Sequence, residues 1–380
     1  MSEEILSILY PISLGFGRLE TANLLKHNGV FQYLTGLPTY PNPTTLRRFL
    51  LRMAPLALPK LRKLHDKLLV VMIVKPVPPT RVIFDLDSTV LTLYGNQEGA
   101  EIGYNPVKRG RPSYHPLVCF NGITKDFWQG ELRPGDSHTA TGAIELLKGC
   151  FDKLPPSMES VLVRADKGFY DHKIIEYLEA NNAYFVIVAR LTKPLKKKLS
   201  RLSYQKYTSG IETSEFSYQP VNWDKHYRFI VIRRPIEEEP STQLTLFTIG
   251  RYSYQVIVTN MNLNPLNTWK FYNKRAGIEL IIKELKEDYS LGKIPTKYFA
   301  ANEAYFHILL FSYNLINWFK RLCLPNQFQN LTLRTLRTRL LLIPGELTRT
   351  NNRPTLKLPA SFIYKDVFEY ALKRIDQLKV

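Results

Sequence analysis

Four carboxylates stand where a carboxylate is hard to place. Asp85 and Asp87 interrupt the apolar run "RVIFDLDSTV", Asp166 closes "ESVLVRAD", and Glu279 lies in "FYNKRAGIELIIKELKED". An ionised acid in an apolar strand is costly unless it is paired, hydrogen-bonded or bound to metal. Asp85 and Asp87 are two apart, so a regular strand points both to one face. Gly168, two residues after Asp166, permits a tight turn into the next helix. Acids at the ends of neighbouring strands converge on one crevice, where ligands of α/β sheets often sit. A third carboxylate brought by a helix completes an oxygen-rich site for two Mg²⁺ ions about 4 Å apart, with Mn²⁺ as a substitute. Such a pair activates a water or a 3′-hydroxyl and stabilises the leaving oxygen of a phosphodiester. Each acid also has a plainer role. Asp87 can cap a turn at Ser88 and Thr89, Asp166 can cap the next helix, and Glu279 can pair on the surface. It is their combination that points to chemistry.

The Glu279 segment carries a second pattern. Tyr272, Arg275, Glu279 and Lys286 are spaced by three, four and seven residues. At roughly 100° per residue, one continuous helix places all four within an arc of about 60°. An i,i+4 pair explains Arg275 and Glu279. It requires neither the tyrosine nor the distant lysine.

Charge narrows the partner. The chain of 380 residues has 52 Lys and Arg against 33 Asp and Glu, a formal net charge of +19. That excess fits a polyanion, nucleic acid first. Basic stretches lie at Lys108, Arg109 and Arg111, at Lys196, Lys197 and Lys198, and at Arg334, Arg337 and Arg339. They are candidate phosphate contacts, and together predict salt-dependent DNA affinity. Cys119, Cys150 and Cys323 are scattered, which argues for buried thiols and against a zinc or disulfide framework. His115 and His138 read as structural or DNA-proximal. The opening "MSEEILSILYPISLGFGR" has acids where a signal peptide needs cations. "LLVVMIV" is too short to span a bilayer. "YFHILLFSYNLINWF" is broken by His307, Ser312, Asn314 and Asn317 and reads as a buried helix. No membrane partner is expected, and the protein is expected in the cytoplasm, on the nucleoid when bound to DNA.

These side chains need elements to position them. Residues 1–80 read as helical, with Thr44 capping "TTLRRFLLRM"; two short helices there fit either a helix-turn-helix or plain packing. From Arg81 the order is β-β-β-α-β-α-β, with Asn121-Gly122 and Pro134-Gly135 as turns and a helix over "HTATGAIELLKGCFDKLP". This predicts an α/β fold, a mixed sheet with helices on its faces. Residues 193–267, from "KPLKKKLSRLSYQK" through "YRFIVIRRPIEEE" and "QLTLFTIGRYSYQVIVTN", read as a β-rich insertion. The Glu279 helix, a long apolar helix from Tyr298 to Leu322 and a basic C-terminal region follow.

The order "DLDST", then "VRADKGFYD", then Y-x-x-R-x-x-x-E-x6-K resembles the DDE transposases of bacterial insertion sequences, in the group with a Y-R-E-K signature. "YGNQEGAEIGYNPVKRGRPSYHPLVCF" is similar to one family within that group. The resemblance runs from Arg81 to the C-terminus and more weakly over the preceding helices. It implies an RNase H-like core in two parts, 81–192 and 268–325, around the insertion 193–267. A DNA-binding helical domain over 1–80 precedes it and a basic region over 326–380 follows. It implies that Asp87 rather than Asp85, with Asp166 and Glu279, forms the catalytic, metal-holding triad. Tyr272, Arg275 and Lys286 are then DNA contacts. The implied activity is metal-dependent cleavage at the element's ends and strand transfer into target DNA, by a homodimer in the synaptic complex. About 80 residues precede the core where such proteins carry more, which implies a shortened end-recognition segment. Two rivals stand beside this: a structure-specific resolvase on the same core, and a non-catalytic DNA-binding remnant that represses transposition.

Overall fold

The computed structural model describes residues 2–37, 39–207, 210–236, 247–249, 252–350 and 353–378. The chain opens with helices α1 (Ser2–Leu14), α2 (Gly29–Thr35), α3 (Pro43–Leu56) and α4 (Leu58–Ile73). Strands β1 (Arg81–Ser88), β2 (Leu91–Thr92), β3 (Glu101–Ile102), β4 (Pro112–Tyr114), β5 (Leu117–Asn121) and β6 (Phe127–Glu131) come next. Then follow α5 (Ala143–Phe151), β7 (Ser160–Ala165), α6 (His172–Ala180), β8 (Tyr184–Val188) and α7 (Lys193–Leu199). Strands β9 (Gln205–Lys206), β10 (Glu212–Tyr218), β11 (Tyr227–Pro235), β12 (Phe247–Ile249) and β13 (Tyr252–Thr259) lead to α8 (Pro265–Asn273), α9 (Ala276–Glu287) and α10 (Phe299–Cys323). The chain ends with α11 (Asn326–Gln329), α12 (Leu333–Leu336), β14 (Glu346–Thr350), β15 (Arg353–Lys357) and α13 (Lys365–Gln377).

The expected mixed sheet with flanking helices is present. Its order is β6-β5-β1-β7-β8-β13-β11-β10-β9, with β12 beside β13. β1, β7 and β8 are parallel, and every other pairing is antiparallel. The β-rich segment is therefore a continuation of the same sheet: β13 hydrogen-bonds to β8 through Ile257↔Val188 and Thr259↔Val186. An edge strand as apolar as "YFVIV" is a liability when unpaired, and β13 covers it. The run "KPLKKKL", expected as a loop into strands, is the short helix α7, started by Pro194 and buried through Leu195 and Leu199. The expected strand signals at 237–239 and 243–246 lie outside the described residues.

The extended strands are buried on both faces. Phe185, Ile187, Phe229, Val231, Val256 and Val258 join the main core, while Val186, Val188, Ile230, Ile232 and Ile257 join a second cluster with Tyr272. The period of two assigns neighbours to opposite faces. The main core also takes Ile8, Leu46, Phe49, Leu50 and Leu69, so the N-terminal helices share it with Val82, Phe84 and Leu86 of β1. α3 buries Leu46, Phe49, Leu50 and Met53, spaced three, one and three. This is the packing role for that helix. Its cap residue is Asn42, with Pro43 in the first turn, and not Thr44. α5 starts at Ala143, after Gly142 at φ 75°, later than the run "HTATG" implies.

The polar interruptions in α10 are stitches. Asn314 Oδ1 accepts from Phe127 N at 2.7 Å, and its Nδ2 donates to Phe127 O at 2.7 Å and faces His65 Nε2 at 2.7 Å. Asn317 Nδ2 donates to Thr124 O and Asp126 Oδ1 at 2.9 and 2.7 Å. Two amides thus satisfy backbone groups of β6 and its turn from inside an apolar helix. Among the described residues no helix is long and apolar enough to cross a membrane. Asn314→Leu keeps the volume but leaves the Phe127 N–H and C=O buried and unpaired, at about 1–3 kcal/mol for each group. A drop of that order in a urea titration is expected, and an unchanged midpoint would show that Asn314 is not a stitch.

Candidate active site

β1 and β7 run side by side in the register Phe84↔Val163 and Asp85↔Arg164. Continuing that register by two residues sets Asp166 opposite Asp87, each at the C-terminal end of its strand. The strand ends are made by local chemistry. Asp87 Oδ1 accepts from Ser88 N at 2.8 Å, and Asp166 Oδ1 accepts from Gly168 N at 2.8 Å, capping a single 3₁₀ turn. Asp87 thus caps its turn, while Asp166 caps only the 3₁₀ turn and the helix that follows, α6, is capped by Asp171, whose Oδ1 accepts from Lys173 N at 2.9 Å; the other carboxylate oxygens of both acids stay available. A Cβ on Gly168 would stand 2.6 Å from Thr139 Cγ2 and 3.0 Å from Asp166 Oδ1, so the glycine is what lets the turn close on the acid. Ser88 is held in turn by His115, whose Nε2 lies 3.1 Å from Ser88 Oγ and whose Nδ1 lies 2.8 Å from Ser137 O. Burial pushes the His115 imidazole below its usual pKa, which favours the neutral ring. The structural reading of His115 is the observed one, beside the first acid. His138 is exposed on the neighbouring loop, with Nε2 3.2 Å from Arg190 Nη2.

The segment 271–287 is not one helix. α8 stops at Asn273 and α9 starts at Ala276, and between them Arg275 N donates to Tyr272 O at 2.8 Å and Ile278 N to Arg275 O at 2.9 Å. These are three-residue bonds, and in a 3₁₀ turn residues three apart eclipse. Tyr272 and Arg275 therefore point inward together and are 9% and 5% exposed. Tyr272 packs in the second apolar cluster, and burial lifts its phenol to about 12. Arg275 donates to Leu86 O through Nε and Nη2 at 3.3 and 3.0 Å. Its Nη2 also lies 3.1 Å from Asp87 Oδ1, and its Nη1 3.9 Å from Glu279 Oε1. Burial works against the guanidinium charge, but Asp87, then Tyr272 and Asp166, outweigh it and leave Arg275 above its usual value. The turn directs Tyr272 and Arg275, both expected as DNA contacts, into the protein in this structure.

Glu279 and Lys286 remain on the outer side of α9, and the Glu279 side chain is 69% exposed. Asp87 feels its neighbours. Burial pushes its carboxyl up to about 6, Arg275 pulls down, and the negative charges of Asp166 and Glu279 push up again. The Lys286 side chain is exposed, yet its ammonium sits close enough to the protein to be partly desolvated. That holds it below the usual lysine value, with Asp87 pulling the other way. The structure thus brings Asp87, Asp166, Glu279 and Lys286 within one electrostatic neighbourhood. The triad's carboxylates do not close into a tight cluster, as expected of three like charges. Among the described residues the acid-and-imidazole group that does close, within 4.8 Å, is His172, Glu176 and Asp224. There His172 Nε2 pairs with Asp224 Oδ1 at 2.8 Å and the ring stacks on Trp223 with centroids 4.8 Å apart, bracketing α6 to the loop before β11.

The other basic candidates are placed separately. Lys108 is exposed with its ammonium 4.9 Å over the Tyr94 ring, and Arg109 and Arg111 share its exposed loop. Lys197 is exposed on α7, Lys196 is half-buried, and Lys198 sits 5.2 Å from the Phe216 ring. Arg334 and Arg339 are exposed. Arg337 is buried and donates to Ser13 O and Ile12 O at 2.7 and 3.2 Å and to Asp288 O, tying α1 to the end of α9. Its expected phosphate contact is corrected accordingly.

One pair was not singled out from sequence as part of the site. Arg164 grips Asp85 with both prongs, Nε–Oδ1 2.6 Å and Nη2–Oδ2 2.7 Å, and its Nη1 donates to Phe271 O at 2.9 Å. Both side chains are 3% exposed or less. The signal was an arginine inside an apolar strand, two residues before the second acid; in the fold it stands directly opposite Asp85. A Cβ on Gly122 would stand 2.5 Å from Arg164 Nη2 and 2.6 Å from Asp85 Oδ2, which explains why the turn after β5 carries glycine.

The profile of the family described as "Transposase DDE domain group 1" matches residues 2–380. The chain belongs to this family. Its members are DDE transposases. Among solved structures it is similar to a piggyBac transposase synaptic complex with hairpin DNA, at 13% identity and a TM-score of 0.44, over 83% of this chain and 67% of that one. No curated protein sequence matches it.

Two outcomes follow for the transposase. Arg164→Ala strands a buried Asp85 and is expected to cost about 3–5 kcal/mol in urea unfolding. Gly122→Ala should shift the midpoint the same way, and a wild-type midpoint in both would mean the pair is not formed. The second outcome concerns pH. Asp87 titrates near 6 when folded, against about 3.9 unfolded, so the folded state holds its proton more tightly. Its contribution is fully present below pH ~4 and is lost as pH rises through about 6. Relative to Asp87→Asn, the metal-free wild type should lose on the order of 2–3 kcal/mol between these limits. A constant difference would contradict the raised value.

Proposed function

We propose that this transposase cuts DNA at the ends of a mobile element of the insertion-sequence type and joins the freed 3′-hydroxyl to target DNA. On this reading β1, β7, β8 and their helices form an RNase H-like core, and Asp87, Asp166 and Glu279 are the catalytic triad. The observation that supports it is that Asp166, from the neighbouring parallel strand, and Glu279, from a helix whose start is fastened to β1, both act electrostatically on Asp87. The donor set fits hard divalent cations. It offers carboxylate oxygens only, and Asp87 is pushed up by the other two acids, a repulsion that a cation relieves. Asp87, Asp166 and Glu279 would hold two Mg²⁺, or Mn²⁺ in their place. When bound, such ions lower the cost of forming the attacking oxygen and of charging the leaving one.

The chain's own residues supply the rest. Arg275 holds Asp87 and the Leu86 carbonyl against the start of α9, so that Glu279 stays on the crevice side. Tyr272 anchors the same turn by burial. Lys286 meets a DNA phosphate as a point charge. Lys108, Arg109 and Arg111, with Lys196, Lys197 and Lys198, contribute sequence-independent contacts along the backbone. Two element ends must be aligned together, so a homodimer is the working unit.

Cleavage of DNA carrying the element's ends, with Mg²⁺ and with EDTA, tests this. Wild type should nick the ends only with metal and then join strands. Glu279→Gln, at an exposed position, should keep the fold and DNA binding and lose cleavage by ~1000-fold or more, as when a unit of catalytic groups loses a member. Cleavage without joining would favour the resolvase reading. DNA binding without metal-dependent cleavage in the wild type would favour the repressor.

A further inference from the structure

Among the described residues, the strands of the hairpin β14–β15 pair with no other strand. Its described residues, 346–350 and 353–357, are all exposed or half-exposed. The two strands pair only with each other, in the register Glu346↔Lys357, Thr348↔Thr355 and Thr350↔Arg353. An isolated two-stranded ribbon is marginal in water. This one carries Arg349, Arg353 and Lys357 against Glu346. The pleat sorts the side chains. Glu346, Thr348, Thr350, Arg353, Thr355 and Lys357 share one face, and Leu347, Arg349, Pro354 and Leu356 share the other.

Its root is firmly held. Leu333 N donates to Glu284 Oε1 at 2.8 Å and Arg334 N to Asp288 Oδ2 at 2.9 Å, at the end of α9 away from Glu279. Arg337 ties the same segment to α1. From Glu279 to Asp288 is about 14 Å along a helix. The helical residues 334–341 add ~11 Å, and the four residues 342–345 then reach at most ~14 Å more. The ribbon therefore starts within about 45 Å of Glu279, under one and a half turns of B-DNA at ~34 Å each.

We propose that β14–β15 enters the major groove of the duplex whose end lies in the candidate active site. The inference rests on the DNA-cutting reading above. The major groove admits a two-stranded ribbon, and its phosphate walls complement the cationic strands. Thr348, Thr350, Arg353 and Thr355 meet base edges, while Lys357 at the root of that face and Arg349 on the opposite face meet phosphates.

The test uses the full chain and a duplex carrying one element end with its flank. Cys119, Cys150 and Cys323 are buried, so Thr350→Cys presents a single accessible thiol for a photo-crosslinker. Crosslinking to DNA is expected, with protection of guanine N7 from methylation within about one and a half turns of the cleaved end. Arg349→Ala with Lys357→Ala should retain the wild-type melting temperature. Its salt slope of log affinity should be shallower by up to ~2, about 0.9 for each phosphate contact removed. Crosslinking to a second copy of the chain, or an unchanged slope and no N7 protection, would overturn the ribbon's role while wild-type cleavage left the parent reading intact. Failure of the wild type to bind the duplex would sink both.

Discussion

Two buried arginines hold the third acid to the first strand. Arg164 joins Asp85 to the Phe271 carbonyl, and Arg275 joins Asp87 and the Leu86 carbonyl to the start of α9. Both pairs lie on the same face of β1, two residues apart. Buried ion pairs are poor sources of net stability, because desolvating the charges offsets most of their attraction. What they supply is geometry. A planar fork with fixed donor directions can join a carboxylate to a backbone carbonyl in only a few arrangements. Apolar side chains would bury as much area but would let the helix slide. Glu279 sits one turn beyond Arg275, so a fixed arginine fixes the acid's position along the crevice.

The sheet beyond β8 supports the same constraint. Strands β13 and β11 extend the surface on which α8 lies, and Val186, Val188, Ile230, Ile232 and Ile257 seat Tyr272 from below. The segment 193–267 is thus not an appendage. It forms the floor under the helix that leads to Glu279. On the other side, Asn314 and Asn317 of α10 pin the turn and strand that carry Gly122 and Phe127, next to the Asp85–Arg164 pair. The acids are placed from both ends of the sheet.

Much of this was legible in the sequence. Apolar strands ending in Asp87 and Asp166, the glycine after the second acid, and the helices at 172–180 and 299–323 all follow from patterns of period two or 3.6 and from turn residues. The membership of the DDE family was legible in the order of the acids and the Tyr272, Arg275, Glu279 and Lys286 spacing. What could not be read were partners distant in sequence. Helical periodicity put Tyr272 and Arg275 on one stripe with Glu279 and Lys286, because it assumed one helix through Lys274. The break is set by where the Arg275 guanidinium finds Leu86, 189 residues away. Arg337 looked like its exposed neighbours Arg334 and Arg339 for the same reason. β8 gave no sign of its pairing with β13, since an apolar strand reads alike at an edge and in the middle of a sheet.

The most direct test of the central claim is anomalous diffraction from crystals grown with Mn²⁺, which locates the cation independently of any assay. The account predicts Mn²⁺ peaks between Asp87 and Asp166, with Glu279 turned toward them and Arg275 still on the Leu86 carbonyl. Peaks confined to His172, Glu176 and Asp224, with none at the strand ends, would contradict it.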